Sequence, residues 1–361
     1  MSWGIFQNTH GKIICCSLKR IWKNNLLPNC GGGNPIITMI NKSMMMKDQP
    51  LVSIICLVFN HGKYLRQCLD GFVCQKTSFP FEIIIHDDAS TDNSQEIIKE
   101  YVSKYPGLFV PILQTENQYS KGVRIGFTFM YPKARGKYIA ECEGDDYWTD
   151  PLKLQKEVDF LESNPDYGLV YTGARVLQEK TGVLSENLSC QQNYVSLLTN
   201  EDRIITLTTC FRKELLKKFH QDITCCSQWL MGDLPLWLYF SFYSKIKWLP
   251  EITGVYRFLE NSASHSTNIN KKIKFSLSAF ECRKYFDERF SHGQYFKQIA
   301  TFEFNDLCKI SICYNKSIFK VLFDFVRKNS LFSLKNIIKI ALYSTKIGRK
   351  YHVKKYGKTV L

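Results

Sequence analysis

Between Leu51 and Pro165, segments with the pattern of a buried strand alternate with segments with the pattern of an amphipathic helix. A new segment begins about every 12 to 15 residues. Near-continuous apolar runs rich in β-branched residues indicate buried strands at 51–60 and 81–88. Two further strands are predicted at 109–113 and 138–143. Apolar residues at helical spacing indicate helices at 61–75, 91–105, 121–131 and 151–164. This alternation is typical of an α/β fold, with a mostly parallel sheet flanked by helices.

Two acidic clusters follow two of the predicted strands. Asp87 and Asp88 end one strand, and Glu143, Asp145 and Asp146 end another. Because the carboxyl ends of parallel strands meet at one edge of a sheet, we expect both clusters to share one ligand. Clustered carboxylates repel one another unless a cation lies between them, and oxygen ligands suit Mg²⁺ or Mn²⁺. The sequence therefore predicts a divalent metal that phosphate groups of a substrate help to hold.

The second cluster has a spacing that suits a ligand site. Glu143 and Asp145 alternate along an extended segment, so their side chains point to the same side. Gly144 between them would let a ligand approach closely, and Tyr147 and Trp148 are candidates for the wall of the site. A solvated acidic turn that caps the next helix is the alternative interpretation.

The charge of the chain is concentrated at its carboxyl end. The formal net charge is +15, which favours a polyanion or an anionic membrane as a partner. From Lys309 onward there are many Lys and Arg residues and a single acid, Asp324. No motif supports nucleic-acid binding, no run of apolar residues is long enough to span a membrane, and the fourteen cysteines lack the spacing of a zinc site.

The basic region reads as helices from about Asn268 to the end. Apolar positions at helical spacing would form one face, flanked by lysines; the apolar set is Ile337, Ile338, Ala341 and Leu342, and the lysines are Lys335, Lys339 and Lys346. Such a helix suits an anionic cytoplasmic membrane surface, where a lipid-linked acceptor would be found. A helical cap that packs on the preceding domain is an equally good interpretation.

Three segments in this order resemble one known family. SIICLVFNHGKYLRQCL, FEIIIHDDASTDNS and GKYIAECEGDDYW are together similar to inverting family 2 glycosyltransferases with the Rossmann-like GT-A fold, from about Leu51 to Ser266. The segment at 232–266 resembles a bacterial subgroup that builds surface polysaccharides. The resemblance implies transfer of a sugar, with inversion, from a nucleotide-diphosphate sugar such as a UDP-sugar to a hydroxyl of a glycan or lipid-linked acceptor.

The resemblance also implies roles for individual residues. Phe59 and Asn60 would line the nucleotide pocket, Asp88 would bind the base, and Asn117 or Lys121 would contact the base. Glu143 would face the ribose or the donor sugar, Asp145 would bind the metal, and Asp233 would be the general base. Arg257 lies in a segment that resembles a late loop closing over the donor. Glu143 replaces the first Asp of the family's D-x-D motif, and the adjacent Asp146 permits a register in which Asp146 is the metal ligand.

These observations predict three regions and one location. Residues 1–48 are expected to be a poorly ordered extension, 49–266 the GT-A domain and 267–361 a basic helical region. We expect a cytoplasmic protein. A peripheral position at the inner face of the cytoplasmic membrane is compatible with this prediction. The alternatives are another metal-dependent nucleotide enzyme, such as a nucleotidyltransferase, and a non-catalytic protein that binds membranes or polyanions.

Overall fold

A computed structural model describes residues 49–185, 189–200, 204–224, 228–259 and 266–356. The chain divides into two compact units, Met1–Asp48 and Gln49–Leu361, and every described residue belongs to the second. The predicted extension at 1–48 thus lies outside the described residues.

Four parallel strands form the first half of the sheet. They are β1 (Val52–Val58), β2 (Phe81–Asp87), β3 (Phe109–Leu113) and β4 (Tyr138–Glu141), in the spatial order β3-β2-β1-β4. The apolar runs of β1, β2 and β4 are buried on both faces, which is what strands covered by helices on each side require. Strand β3, at the edge of the sheet, is only partly buried. The predicted parallel α/β core is confirmed.

The second half of the sheet is mixed. Its strands are β5 (Tyr147–Trp148), β6 (Tyr167–Gln178), β7 (Val183–Ser185), β8 (Thr209–Arg212) and β9 (Lys245–Phe258). Strand β8 is antiparallel to both β4 and β6, β6 is parallel to β9, and β5 is antiparallel to β9. Strand β7 pairs with β6 outside the main order.

The first six helices accompany the sheet. They are α1 (Gly62–Val73), α2 (Ser94–Lys104), α3 (Lys153–Ser163), α4 (Tyr194–Thr199), α5 (Lys213–Asp222) and α6 (Leu234–Tyr243). The segment 121–131, which was predicted to be helical, contains short helical turns but no continuous α-helix. These are a 3₁₀ turn at Tyr119–Lys121, a π-helical turn at Gly126–Met130 and a 3₁₀ turn at Tyr131–Lys133. Gly122, Gly126 and Pro132 disfavour a continuous α-helix there.

Five helices complete the described chain and confirm the predicted helical carboxyl-terminal region. They are α7 (Ile269–Ser291), α8 (Phe296–Cys313), α9 (Phe319–Lys328), α10 (Leu334–Ser344) and α11 (Lys346–Tyr356). Among the described residues, no helix combines the length and the apolar character that crossing a membrane requires.

The two faces of the sheet bury two separate apolar cores. On one face, Ile54 and Ile83 pack with Leu69 of α1. On the other face, Ile84 and Ile139 belong to the cluster that includes Trp237 of α6 and Phe286 of α7. Helices α7 to α10 also contribute to this second cluster, for example through the Phe280 and Phe325 rings, whose centroids are 5.1 Å apart. The predicted boundary near residue 266 stays a prediction.

Candidate active site

The two acidic clusters flank the carboxyl end of β1. The main-chain N–H of Asp88 donates to the carbonyl oxygen of Val58 (2.9 Å), on the side of β2. On the side of β4, the main-chain N–H of Gly144 donates to the carbonyl oxygen of Leu57 (2.9 Å). The parallel register of β2, β1 and β4 therefore brings both clusters to the same edge, where a ligand of an open α/β sheet is expected.

The two carboxylate oxygens of Asp145 have different surroundings. Its Oδ2 lies 3.8 Å from Nε2 of His61, whereas its Oδ1 is buried and accepts no hydrogen bond from the described residues. Burial lowers the pKa of His61, although the charges of Asp145 and Asp92 act in the opposite direction. A neutral imidazole leaves the Asp145 charge largely uncompensated, so this carboxylate is suited to a cation.

Asp146 has different surroundings. Its side chain is buried, and its Oδ1 accepts a hydrogen bond from the main-chain N–H of Arg257 (2.7 Å). Burial, followed by the charge of Asp145, raises the pKa of Asp146 well above its usual range. The two neighbouring acids thus divide their roles: Asp146 ties the acidic loop to β9, and Asp145 keeps an uncommitted oxygen.

Glu143 and Glu141 are two further acids of the site, and the pKa of each is raised. The Glu143 side chain keeps a solvent-exposed surface, but the protein around its carboxyl group, followed by the charges of Asp145 and Asp233, raises its pKa to about 8. Glu141 is buried at the end of β4 and accepts a hydrogen bond from the Tyr131 hydroxyl (2.6 Å). Burial and, to a lesser degree, the charge of Asp233 raise the pKa of Glu141 to about 7.

Asp233 is the N-cap of α6, as its position before an apolar helix predicts. Its Oδ1 accepts a hydrogen bond from the main-chain N–H of Leu234 (2.8 Å), and its Oδ2 accepts one from Oγ1 of Thr206 (3.4 Å). The half-buried carboxylate acts electrostatically on both Glu141 and Glu143. The fold therefore brings Asp233, which is 88 positions after Asp145 in the chain, into the neighbourhood of the acidic loop.

Asp88 organises the segment that contains Asn117 and Lys121. Its buried carboxylate accepts hydrogen bonds from the main-chain N–H groups of Gln118 (2.8 Å) and Tyr119 (3.0 Å). Its carbonyl oxygen accepts one from Nδ2 of Asn117 (3.2 Å), and Lys121 pairs with Glu116. The three predicted base-binding residues thus lie in one connected group.

Phe59 and Asn60 follow β1 at the same edge. Phe59 is 44% exposed, which is unusual for an aromatic residue directly after a buried strand. Asn60 has a left-handed φ of 57°, and its Oδ1 accepts a hydrogen bond from the main-chain N–H of Thr91 (2.8 Å). The chain therefore turns sharply here and presents the Phe59 ring at the surface.

Arg257 lies on strand β9, and its side chain is enclosed. The guanidinium lies over the rings of Tyr64 (4.8 Å) and Tyr147 (4.9 Å). It also forms an ion pair with Glu179 (3.2 Å) and donates to Oε1 of Gln67. Arg257 is thereby held rigidly next to the acidic loop.

Two expectations about the acidic loop are corrected by its packing. A Cβ on Gly144 would lie 2.9 Å from Cγ2 of Val58 and 3.0 Å from Nδ1 of His61, so the glycine makes room for protein and not for a ligand. Trp148 is buried, and its Nε1 donates to the carbonyl oxygen of Leu207 (2.7 Å), so it belongs to the core and not to the wall of the site.

Tyr131, Glu141 and Thr206 are site residues that the sequence patterns did not reveal. The sequence contained one indication of Glu141, because a carboxyl group inside a buried strand needs a hydrogen-bonding or charged partner. Its partner, Tyr131, comes from the segment whose helix type the periodicity did not predict correctly. Thr206 lies in a 3₁₀ turn at 206–208.

The donor set fits a divalent ion that takes few protein ligands. Among the described residues, no group of three or more His, Cys, Asp or Glu side chains is arranged to hold a metal by itself. The free Oδ1 of Asp145, in a region crowded with acids, suits Mg²⁺ or Mn²⁺, which commonly bind one or two carboxylates and complete their shell with substrate phosphates.

Comparisons with known proteins give one matching family model and several similar proteins. Residues 53–227 match the model of the family described as glycosyl transferase family 2. An uncharacterized protein of Mycobacterium tuberculosis (strain ATCC 25618 / H37Rv) is 38% identical over 224 residues, which cover 61% of this chain and 62% of that protein. An uncharacterized glycosyltransferase of Nostoc sp. is 28% identical over 215 residues, which cover 57% of this chain and 64% of that protein. This chain thus spans somewhat less than two thirds of these relatives' length.

A solved structure supports the fold. The crystal structure of S. aureus TarS 1–349 in complex with UDP-GlcNAc superposes with a TM-score of 0.50 at 16% identity. The superposition covers 81% of this chain and 90% of that chain. At this level of identity the likeness concerns the fold alone, and the fold is the predicted GT-A type.

Proposed function

We propose that this chain transfers a sugar from a nucleotide-diphosphate sugar to an acceptor hydroxyl. The proposal starts from the match of residues 53–227 to the model of glycosyl transferase family 2. One observation carries this proposal. An acid with an uncommitted oxygen, Asp145, and a second acid on a separate helix, Asp233, lie in one electrostatically coupled group at the carboxyl edge of the sheet. A single-displacement transfer needs two such acids, one to bind the metal and one to take the proton of the acceptor hydroxyl.

On the donor side, we assign the metal to Asp145, and Asp146 to the support of the loop. When bound, Mg²⁺ or Mn²⁺ would neutralise charge on the leaving nucleotide diphosphate. Glu143 would face the ribose or the donor sugar, and Phe59, Asn60, Asp88, Asn117 and Lys121 would surround the nucleotide. Arg257, held against the acidic loop, would contribute positive charge beside the diphosphate.

On the acceptor side, we assign the general base to Asp233. The acceptor hydroxyl must lose its proton as its oxygen attacks the anomeric carbon, and a positioned carboxylate can take that proton. The hydrogen bonds from Leu234 and Thr206 hold the carboxylate in place. The carboxylate lies at the N-terminus of α6, where the helix dipole is positive. Attack from the face opposite the leaving group inverts the configuration at the anomeric carbon.

We further propose a UDP-sugar donor and a glycan or lipid-linked acceptor in bacterial surface polysaccharide synthesis, at the cytoplasmic side of the membrane. The UDP-GlcNAc bound to TarS supports a UDP-sugar as the first donor to test. The basic carboxyl-terminal region supports a position close to anionic lipids.

A donor screen tests the proposal. Purified protein with Mn²⁺ is incubated with a panel of UDP- and GDP-sugars, and release of the nucleoside diphosphate is measured with and without EDTA. We expect slow, metal-dependent hydrolysis of one donor without added acceptor, and much less hydrolysis with Asp145→Ala. Release of pyrophosphate from nucleoside triphosphates would instead indicate a nucleotidyltransferase. No turnover or binding of any nucleotide sugar would contradict the proposal.

A further inference from the structure

Helices α9 and α10, together with Phe332 from the segment between them, expose an apolar surface, although both helices also contribute to the core. Six large apolar side chains, each between 41% and 75% exposed, form this surface, which we call the apolar patch: Phe319, Phe323, Phe332, Leu334, Ile337 and Ile338. The inward faces of the same helices are filled by other residues, among them Leu322, Val326 and Ile340, which are buried. The side chains of the patch are therefore not needed to pack these helices against the core.

The members of the patch are neighbours in space. The rings of Phe319 and Phe323 are stacked with centroids 5.9 Å apart, and the rings of Phe323 and Phe332 are 6.4 Å apart. Leu334 follows Phe332 by two positions, and Ile337 and Ile338 lie three and four positions further along α10, on the same side of the helix. Contiguous exposed surfaces of this kind mark interaction sites.

The charge around the patch selects the kind of partner. Residues 316–356 contain eleven Lys and Arg residues and one acid, Asp324, which lies 3.9 Å from Arg327. Lys320, Lys335 and Lys346 are exposed. They are adjacent in sequence to the exposed apolar residues Phe319, Leu334 and Ile347. Lys339 is an exception to the predicted flanking lysines, because its Nζ donates to Oδ1 of Asn305 (2.6 Å).

We propose that the apolar patch docks on an anionic lipid bilayer, with its apolar side chains between the lipid headgroups and its lysines on the phosphates. A second copy of the chain would bring two strongly basic faces together, which is unfavourable. A nucleic acid would satisfy the lysines but would leave six large apolar side chains without a partner. A bilayer with anionic headgroups satisfies both features. The proposal deepens the membrane position given above, but its test requires neither donor nor metal.

Vesicle flotation of the full chain tests the docking. Vesicles of phosphatidylcholine alone are compared with vesicles that also contain phosphatidylglycerol, at low and at high salt. We expect flotation only with phosphatidylglycerol, and weaker flotation at high salt. The double variant Leu334→Ser/Ile338→Ser should reduce the partition coefficient at least tenfold. The double variant Lys320→Glu/Lys335→Glu should reduce it by at least 25-fold, since each cation near the surface contributes about fivefold.

Matched variants on the sheet domain separate the patch from general effects. Val183→Ser/Leu184→Ser removes two exposed apolar side chains from β7, and Lys76→Glu/Lys99→Glu reverses two exposed charges near α1 and on α2. Both should float like the wild type, and thermal melting should show that all variants fold. Absence of wild-type flotation, or equal flotation of the Leu334/Ile338 variant, would overturn the proposal. If the wild type does not float but forms a dimer, and the variant Leu334→Ser/Ile338→Ser dissociates that dimer, the patch mediates self-association and the proposal is wrong.

Discussion

The main-chain N–H of Arg257 donates a 2.7 Å hydrogen bond to Oδ1 of the buried Asp146, 111 positions earlier in the chain. This contact gives Asp146 a structural partner, whereas its neighbour Asp145 has a buried oxygen that accepts no hydrogen bond from the described residues. The adjacent acids of the loop are therefore expected to respond differently to substitution.

Asp145→Ala should abolish metal-dependent binding of UDP and leave the stability of the protein close to that of the wild type, because the buried Oδ1 accepts no hydrogen bond from the described residues. Asp146→Ala should destabilise the protein by about 1–3 kcal/mol, since the Arg257 N–H remains buried without an acceptor. Calorimetry with UDP and Mn²⁺ measures the first effect, and urea unfolding measures the second. If Asp145→Ala binds UDP and Mn²⁺ like the wild type, the metal assignment is wrong and Asp146 becomes the candidate.

Asp233→Asn should slow sugar transfer by roughly 10²- to 10⁴-fold, because the amide cannot take a proton from the acceptor. The amide oxygen can still accept from Leu234 and Thr206, so folding and donor binding should stay near normal. If Asp233 were only a cap, Asp233→Ala would cost about 1 kcal/mol of stability and Asn would be silent. Transfer rates and melting temperatures distinguish the two roles.

Asp222→Asn is the matched control for this experiment. Asp222 ends α5 and accepts a hydrogen bond from the Tyr239 hydroxyl (2.5 Å). By sequence, Asp222 and Glu260 are the next candidates for the base after Asp233, and Glu260 lies outside the described residues. Transfer at the wild-type rate by Asp233→Asn, combined with a slow Asp222→Asn, would move the base to Asp222.

Gly144→Ala should destabilise the protein by about 1–3 kcal/mol and weaken donor binding. The new methyl group would lie 2.9 Å from Val58 and 3.0 Å from His61, so the acidic loop must shift. Gly232→Ala is the control, because a Cβ there meets no atom of the described residues within 4 Å. Chemical unfolding and UDP titration measure both effects, and equal stability of the two variants would contradict this account of the loop.

Glu303→Gln should become increasingly stable relative to the wild type as the pH rises from about 4.5 to about 8. Burial is the main reason that the pKa of Glu303 rises from 4.5 to about 8, so the folded protein keeps a proton that the unfolded chain loses in this range. The wild type therefore loses stability with rising pH, on the order of a few kcal/mol, while the neutral amide does not. Gln still accepts from Ser276, whose Oγ lies 2.5 Å from Oε1 of Glu303. Urea unfolding at pH 5 and pH 9 measures the difference, and a pH-independent difference would contradict it.

The parallel strands, most of the helices and the meeting of both acidic clusters at one edge could be predicted from the sequence. These features depend on local periodicity, such as the continuous apolar run of β2 and the helical spacing of α1, and on the rule that parallel strands share a carboxyl edge. The same local information predicted that Asp233 begins a helix and that the carboxyl-terminal region is helical and basic.

Only the tertiary structure decided what each side chain of the site contacts. Asp146 and Arg257, Glu141 and Tyr131, and Trp148 and Leu207 are pairs that strand order and loop packing bring together. Likewise, the sequence by itself determined that α10 has an apolar face, but packing decided that Ile340 points inward and Ile338 outward. Periodicity gives the spacing of apolar residues along one element, whereas the choice of buried partner depends on elements that are distant in sequence and adjacent only in the fold.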